Sequence, residues 1–554
     1  MKQRLTFYIT LFVLTLPNLV LAVTEQVTAA GRVAGVALPL AVYWLLLSLS
    51  RRTGRTAILL FPAMFLGAFQ MVLTYLYGRG PIAVDMWLNL VTTNPGEVNE
   101  LLSQLLPAIV WVVVIYVPTI ALGAVAWAKR WDAEPQFLRR NRRCALCLTA
   151  AAAAFTAVTV GCTPYSIASD LFPANAVYNF GMALQRNSAS QSYADTSRDF
   201  TYGARCTFDD ADAAETLVLV VGETSRADDW QLYGYRRPTN PRLSRQEGLT
   251  VFTDYMSQSN TTHKSVPILL SPADASDYSL LYRTKGIMAA FREAGYHTVF
   301  LSNQQRNHSF IDFLGEQADE CLFLRDSHPD NAYDTDLLRP FAAALEKHRG
   351  QRTFIVLHTY GSHFSYADRY PASARAFTPD TYDGAKAAYR PQLLNAYDNS
   401  IRLTDRLLAD VIALAGRGGG SAAMVYTADH GEDIFDDHRH YFLHASPFPS
   451  FWQLHVPLVV WTSPLYRQRH AGITAALKAN SSKAAESNSV FHTLLTMGGV
   501  STRYRTDSLS LASRAYREHT RLFIDDHNRP RTYDECMMKE DLEVMRQKHI
   551  SCRR

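Results

Sequence analysis

Five long apolar stretches crowd the start of this chain, near residues 5–23, 33–50, 57–77, 105–128 and 145–162. Each is about long enough to cross a ~30 Å hydrocarbon core as a helix. One such stretch alone could be a buried helix or a cleaved leader, and the first has the composition of a leader. Five of them, joined by short charged connectors, predict a membrane domain over 1–162.

The connectors set its orientation. Lys2 and Arg4 precede the first stretch. Arg51, Arg52 and Arg55 follow the second, and Lys129, Arg130, Arg139, Arg140, Arg142 and Arg143 follow the fourth. The other two connectors hold only Arg32 and Arg79. Positive residues stay cytoplasmic. The N-terminus is therefore expected inside, and an odd number of spans puts everything after about 163 outside.

The 554 residues exceed one ordinary core, so two or more domains are expected. A formal charge of +4, with no basic tail, speaks against a nucleic-acid partner. The spans carry almost no internal charge, which argues against a transporter. Cys144 and Cys147 fall at the cytoplasmic end of the fifth span and read as membrane packing. Cys162, Cys206, Cys321, Cys536 and Cys552 face the oxidising side, where one or two disulfides are expected without a readable connectivity.

Residues 163–212 are small, polar and mostly aperiodic, and read as a linker. From 213 to 554 apolar strands alternate with helices. Strands are expected at 216–222, 297–302, 353–358, 423–427 and 457–461, and helices at 284–294, 334–347 and 397–416. Such alternation predicts a mainly parallel sheet covered on both faces.

Chemistry in such a sheet gathers beyond the carboxyl ends of the strands. The first strand runs into Glu223. The strand at 353–358 leads to His358 and His363, and the strand at 423–427 to Asp429 and His430. Each residue has a bland local reading, as a cap, a turn or a core histidine. Together they point to a metal site. Carboxylates with imidazole suit zinc, and the absence of a thiolate cluster suggests an open, catalytic site.

A metal can activate a hydroxyl. Ser259, Thr261, Thr262 and Ser265 compete in "SQSNTTHKSVPILLSP", where a polar loop meets a helical run. A hydroxyl there would sit in a field suited to a phosphoryl group. Most such residues are only caps, and composition does not choose among them.

Five spans followed in order by "VVGETSRADDWQLYGYRRPTNPRL", "NTTHKSVP", "HTYGSHFSYADRYP" and "YTADHGED", with "FLH" beyond, resemble the phosphoethanolamine transferases of the bacterial inner membrane. These belong to the alkaline phosphatase and sulfatase superfamily. The resemblance implies an α/β fold: an N-terminal five-helix transmembrane domain, then a periplasmic sulfatase-like α/β/α domain. It places zinc ligands at Glu223, Thr262, Asp429 and His430. Thr262 becomes the nucleophile because it stands three residues before Ser265 of "SVP". His358, His363 and His444 match histidines near the transferred phosphate or the acceptor, with His363 and His444 as candidate acid–base groups. Asn303, Gln304 and His308 of "SNQQRNHSF" fall in a substrate-contacting segment, and Asn94 and Glu97 of "TNPGEVNE" in a loop that helps to hold lipid.

Two departures stand out. Asn260 and Ile268 occupy places where the best-known members carry cysteines, and His308 replaces a lysine. These resemble the branch that modifies lipopolysaccharide core sugars.

The implied reaction moves phosphoethanolamine from phosphatidylethanolamine, through a phospho-Thr262 intermediate, to a lipid A phosphate or a core sugar of lipopolysaccharide. One Zn2+ is implied. His438 and His440 are read as solvated loop residues, with a second, weaker metal site as the alternative. A monomer in the inner membrane is expected, with resistance to cationic peptides such as polymyxin a consequence if lipid A is the acceptor. The competing readings are a phosphoglycerol transferase or sulfatase-like hydrolase on the same fold, and a catalytically dead envelope sensor.

Overall fold

The computed structural model describes residues 2–25, 27–77, 80–92, 95–208, 214–327 and 333–551, with backbone alone for 76–77, 89–92 and 95–107. The chain divides into two compact units. One comprises residues 1–186; the other, apart from loop residues 439–441, comprises 187–554.

The first unit is helical. Among the described residues four helices are long and apolar enough to cross a membrane: Lys2–Thr24, Ala29–Ser48, Ala108–Ala128 within the longer helix Pro95–Ala128, and Pro135–Cys162. The stretch expected as the third span is broken at Leu60 into Thr53–Leu59 and Phe61–Tyr77, bent by 55°. The last helix starts ten residues before the apolar run, at Pro135, and carries Arg139, Arg140, Arg142 and Arg143 inside it. Arg142 donates to the Ser48 carbonyl at 3.1 Å, so a cation read as connector caps a neighbouring helix end.

Several polar side chains in this unit bond across helices, as a medium without water favours. Asn18 donates to the carbonyls of Gly35 and Phe172 at 3.0 and 2.7 Å. Trp44 donates to Asn141 at 2.9 Å. Arg186 and Asp85 form a buried ion pair at 3.2 Å.

The segment expected to be an aperiodic linker differs. It carries the helix Ala174–Gln191, which buries Asn175, Ala176, Asn179, Ala183 and Arg186. That stripe has helical spacing but is built from small and polar residues, so hydropathy does not reveal it.

The second unit is built on a seven-stranded sheet. Its strands are β1 (Glu215–Gly222), β2 (Leu249–Phe252), β3 (His297–Ser302), β4 (Glu320–Phe323), β5 (Arg352–His358), β6 (Ser421–Ala428) and β7 (Leu458–Thr462). Their order across the sheet is β2-β7-β6-β1-β5-β3-β4. The five expected strands are all present. β7, however, runs antiparallel to both its neighbours, so the sheet is mixed. β2 and β4 carry no sequence signal of their own because they are short, half-exposed edge strands. β1 is buried throughout from Leu217 to Val221. Leu217, Leu219 and Val221 join a core with Phe291, Phe354 and Leu494. The expected helices appear as Ile287–Glu293, Leu338–Lys347 and Arg390–Ala415.

Among the described residues no disulfide forms. Cys162, Cys206, Cys321 and Cys536 are free thiols, and Cys552 lies outside the described residues.

A close helix contact yields a test. A Cβ built at Gly54 would meet the backbone of Trp127, Gly123 and Ala126 at 2.5–2.8 Å, whereas nothing lies within 4 Å of one at Gly161. Gly54→Val should therefore cost about 1–3 kcal/mol through overpacking. Thermal unfolding in detergent should show the loss, with Gly161→Val close to wild type.

Candidate active site

β1 and β6 are parallel neighbours, with Gly222 paired to Ala428. The residues that follow, Glu223 and Asp429, therefore leave the sheet side by side, and the Asp429 N–H donates to the Gly222 carbonyl at 3.0 Å. Ligand atoms of Glu223, Asp429 and His430 lie within 4.8 Å of one another. All three side chains are buried. Asp429 Oδ1 accepts from the backbone N–H groups of Thr224 and His430 at 3.1 and 2.7 Å, which fixes the carboxylate. His430 Nδ1 donates to the Gly431 carbonyl at 2.9 Å. Its Nε2 is thereby the lone-pair nitrogen, and it faces Glu223 at 3.4 Å and Asp429 at 3.3 Å.

Thr262 opens the helix Thr262–Leu270. Its Oγ1 lies 3.2 and 3.3 Å from the two Glu223 oxygens and 3.1 Å from His430 Nε2. The competing hydroxyls are engaged elsewhere. Ser259 and Thr261 pair with each other at 3.2 Å, and Ser265 donates to the Thr261 carbonyl at 2.9 Å while reaching Asp429 at 3.4 Å. Thr262 alone of the four contacts both Glu223 and His430.

The electrostatics fit a divalent cation. Burial, with Asp429 alongside, pushes the Glu223 carboxyl up to about 8. Burial likewise raises Asp429 to about 7 and lowers His430 to about 4. Two buried acids and one neutral imidazole make a donor set that a divalent ion neutralises, so the residues present suit zinc.

A buried clamp supports the cluster. Arg226, three residues after Glu223, donates from Nε to Asp229 at 2.5 Å and from Nη1 to Asp436 at 2.7 Å and the Glu432 carbonyl at 3.3 Å. Its guanidinium lies between the Tyr397 and Trp452 rings, 5.4 and 5.2 Å from their centroids. Tyr397 Oη donates to the Thr224 carbonyl at 2.8 Å and accepts from the Arg226 N–H at 2.9 Å. The two loops that bear the cluster are thus tied through one fork. Gly361 (φ +52°) closes the other side, and a Cβ there would come within 2.4 Å of the Glu223 carbonyl oxygen.

Other expected residues fall at varying distances from this centre. The His444 ring lies 4.1 Å from that of His430 and 6.4 Å from that of His363, centroid to centroid. His363 Nδ1 donates to the Phe364 carbonyl at 2.7 Å. Burial is the main cause holding His363 down to about 3 and His444 to about 4. His358 ends β5, pairs through Nδ1 with Ser302 at 3.1 Å, and keeps a buried Nε2 without a hydrogen-bond partner among the described residues. Gln304 reaches Glu223 at 3.5 Å and the Thr359 carbonyl at 2.9 Å. Asn303 is buried and donates to Asp334 at 2.8 Å, while Asp334 also accepts from the Tyr360 and Gly361 N–H groups.

His308 is different. It is exposed, and no described hydrogen bond or ring contact links it to the cluster; its backbone N–H bonds Asp312 at 2.6 Å. His438 and His440 are exposed and belong to no metal-competent group among the described residues. Asn94 lies outside the described residues, and Glu97 is described only as backbone in the helix Pro95–Ala128.

Sequence reasoning missed Glu432 and Arg226. Glu432 is fully buried, raised to about 8 chiefly by burial, and its Oε2 lies 3.4 Å from His444 Nδ1. The signal was present: an acid two residues beyond His430, and a basic residue three beyond Glu223.

Residues 215–500 match the sulfatase family. The chain is 32% identical over 304 residues to phosphoethanolamine transferase EptA of Salmonella typhimurium, covering 53% of this chain and 55% of that protein. It thus spans about half the length of the curated relatives it matches. The structure of the integral membrane lipooligosaccharide phosphoethanolamine transferase A of Neisseria meningitidis superposes with a TM-score of 0.71 at 21% identity, over 92% of this chain and 98% of that one. It shares the fold. The C-terminal periplasmic domain of Escherichia coli EptC, solved in complex with zinc, superposes with a TM-score of 0.55 at 25% identity, over 60% of this chain and 96% of that one.

Removing the Arg226 fork would leave Asp229 and Asp436 buried without their shared partner. Arg226→Ala should cost about 3–5 kcal/mol, read as a loss of thermal stability. Arg226→Lys, which keeps charge without the fork, should fall between the two.

Proposed function

This chain belongs to the sulfatase family, and we propose that it is a zinc-dependent phosphoethanolamine transferase of the bacterial inner membrane. The observation that carries the reading is the convergence of Thr262 Oγ1 on Glu223 and His430 at 3.1–3.3 Å. The names of the relatives support the transferred group, and the zinc complex of the E. coli EptC domain supports the metal.

Glu223, Asp429, His430 and Thr262 would hold one zinc ion. Bound there, zinc would lower the pKa of the Thr262 hydroxyl and neutralise charge on the phosphoryl oxygens. Thr262 Oγ1, deprotonated, forms a bond to the phosphorus of phosphatidylethanolamine, and the bond from phosphorus to the diacylglycerol oxygen breaks. One histidine of the pair His363 and His444, neutral at rest, takes the proton that Thr262 gives up and passes it to the leaving oxygen. His363 is well set for that transfer, because its Nδ1–H is held by the Phe364 carbonyl and Nε2 is left as the exchanging nitrogen. Thr262 then carries phosphoethanolamine. An acceptor hydroxyl or phosphate oxygen of lipopolysaccharide attacks the same phosphorus, returns any proton it carries to that histidine, and frees Thr262.

His358, Asn303 and Gln304 are assigned to the substrate side of the site, and Asn94 and Glu97 to lipid binding. His308 is assigned to substrate binding. The catalytic unit is assigned to the periplasm, downstream of five spans, and the protein is taken as a monomer. If lipid A phosphates are the acceptor, the added amine weakens binding of cationic peptides such as polymyxin.

Cells expressing the wild type should gain phosphoethanolamine on lipopolysaccharide, and cells expressing Thr262→Ala should not. Mass spectrometry of separated lipid A and core fractions would name the acceptor. A gain of phosphoglycerol, or no gain with both proteins present in the membrane, would overturn the assignment. In the purified protein, chelation should abolish transfer and added Zn2+ should restore it.

A further inference from the structure

A second convergence of metal-ligating atoms lies at the opposite end of the same sheet. β1, β3, β4, β5 and β6 run parallel. Glu223 and Asp429 follow C-terminal strand ends. His297 opens β3, Glu320 opens β4, and His348 follows the helix Leu338–Lys347 on the way into β5. These three residues therefore meet at the N-terminal edge.

Both imidazoles point the same nitrogen at the same oxygen. His297 Nε2 lies 2.9 Å and His348 Nε2 2.6 Å from Glu320 Oε1. Their rings stack with centroids 3.7 Å apart at 22°. All three ligand atoms lie within 4.8 Å of one another. His348 is buried, and the other two are half-buried. Lys347 Nζ also reaches Oε1, at 2.9 Å. One carboxylate oxygen thus gathers three nitrogens.

The placement of protons separates an ion pair from a metal site. If both histidines donate to Oε1, each must carry its proton on Nε2. For a neutral His297 this turns the Nδ1 lone pair toward Asp319 Oδ2, 3.8 Å away. A cation between the three ligand atoms reverses this. Both Nε2 atoms become lone-pair donors to the ion, and the His297 Nδ1–H is directed at Asp319. A ligating histidine with a carboxylate behind its other nitrogen is a recurring metal-site arrangement. Asp319 is itself held by the Thr298 N–H and hydroxyl at 2.9 and 2.8 Å. Tetrahedral zinc bonds of about 2.0–2.2 Å set ligand atoms about 3.3–3.6 Å apart, so the two imidazole–carboxylate contacts would open by about 0.4–1 Å. Lys347 is largely exposed and its long side chain can leave Oε1 to the ion.

We propose that His297, Glu320 and His348 form a second divalent-cation site, with the two-imidazole, one-carboxylate set that suits zinc. Its place, at the opposite end of the sheet from the Thr262 cluster, separates it from the transfer chemistry, and three protein ligands leave a fourth position to water. It ties the edge strands β3 and β4 to the end of the helix before β5, and Lys347 competes with the ion for Glu320.

Zinc content of the full-length protein in detergent tests this, after loading with ZnCl2 and removal of unbound metal. The double variant His297→Ala, His348→Ala should bind one zinc fewer per chain than wild type and keep its transfer activity. The decrement is expected whether or not the Thr262 cluster binds metal, so the two sites are scored separately. Lys347→Met leaves the ligands in place and removes the competitor; it should bind zinc at this site several-fold more tightly in competition with a chromophoric chelator. Cobalt loaded in place of zinc should give a visible spectrum that loses one component in the double variant. Equal metal content in wild type and double variant would overturn the proposal. So would Lys347→Met with unchanged zinc affinity, a result that also decides the matter if the double variant fails to fold. The cluster would then be an ion pair closed by Lys347.

Discussion

Two carboxylates, Glu223 and Asp429, are buried side by side at neighbouring strand ends with no lysine or arginine among their described partners. Burying like charges together is among the most costly arrangements a fold can hold. Here the cost falls where the sheet delivers both acids to one point together with His430 and the hydroxyl of Thr262. The backbone N–H groups of Thr224 and His430 offset part of it, and a divalent ion would offset the rest. The loops around this point in the second unit hold those four groups at one spot.

The support is layered. Parallel pairing of β1 and β6 sets the two acids level. The Arg226 fork ties the loop after β1 to the loop after β6 through Asp229 and Asp436, and the rings of Tyr397 and Trp452 enclose it. Gly361 lets a third loop approach the Glu223 backbone more closely than any side chain would allow. Asp334 gathers that loop's N–H groups and Asn303. Arg226 and Asp334 touch none of the four central groups, yet the geometry of the four depends on them.

The sequence carries much of this where physics leaves one option. Lipid demands long apolar runs, so the membrane helices are legible, whereas the break at Leu60 is not, because apolar residues continue through it. The central strands are legible because burial on both faces demands unbroken apolar runs. β2 and β4 sit at the edges and answer to weaker demands. The helix Ala174–Gln191 hides because its packing face is small and polar. Glu223, Asp429 and His430 are readable as strand-end residues, but residue types alone leave four hydroxyls in competition. The family resemblance selects Thr262, and the geometry brings that hydroxyl to Glu223 and His430. His297, Glu320 and His348 lie on three separate elements, and only the fold brings them together.

The central claim is that Thr262 is the group made reactive by this acid–imidazole cluster. Its most direct test is to trap the covalent intermediate. Purified full-length protein would be mixed with phosphatidylethanolamine vesicles, quenched without acceptor, digested and sequenced by mass spectrometry. The expected result is a phosphoethanolamine adduct on the peptide containing residues 259–265, localised to Thr262 and absent in Thr262→Ala. An adduct on Ser259, Thr261 or Ser265, or diacylglycerol release undiminished in Thr262→Ala, would contradict the claim.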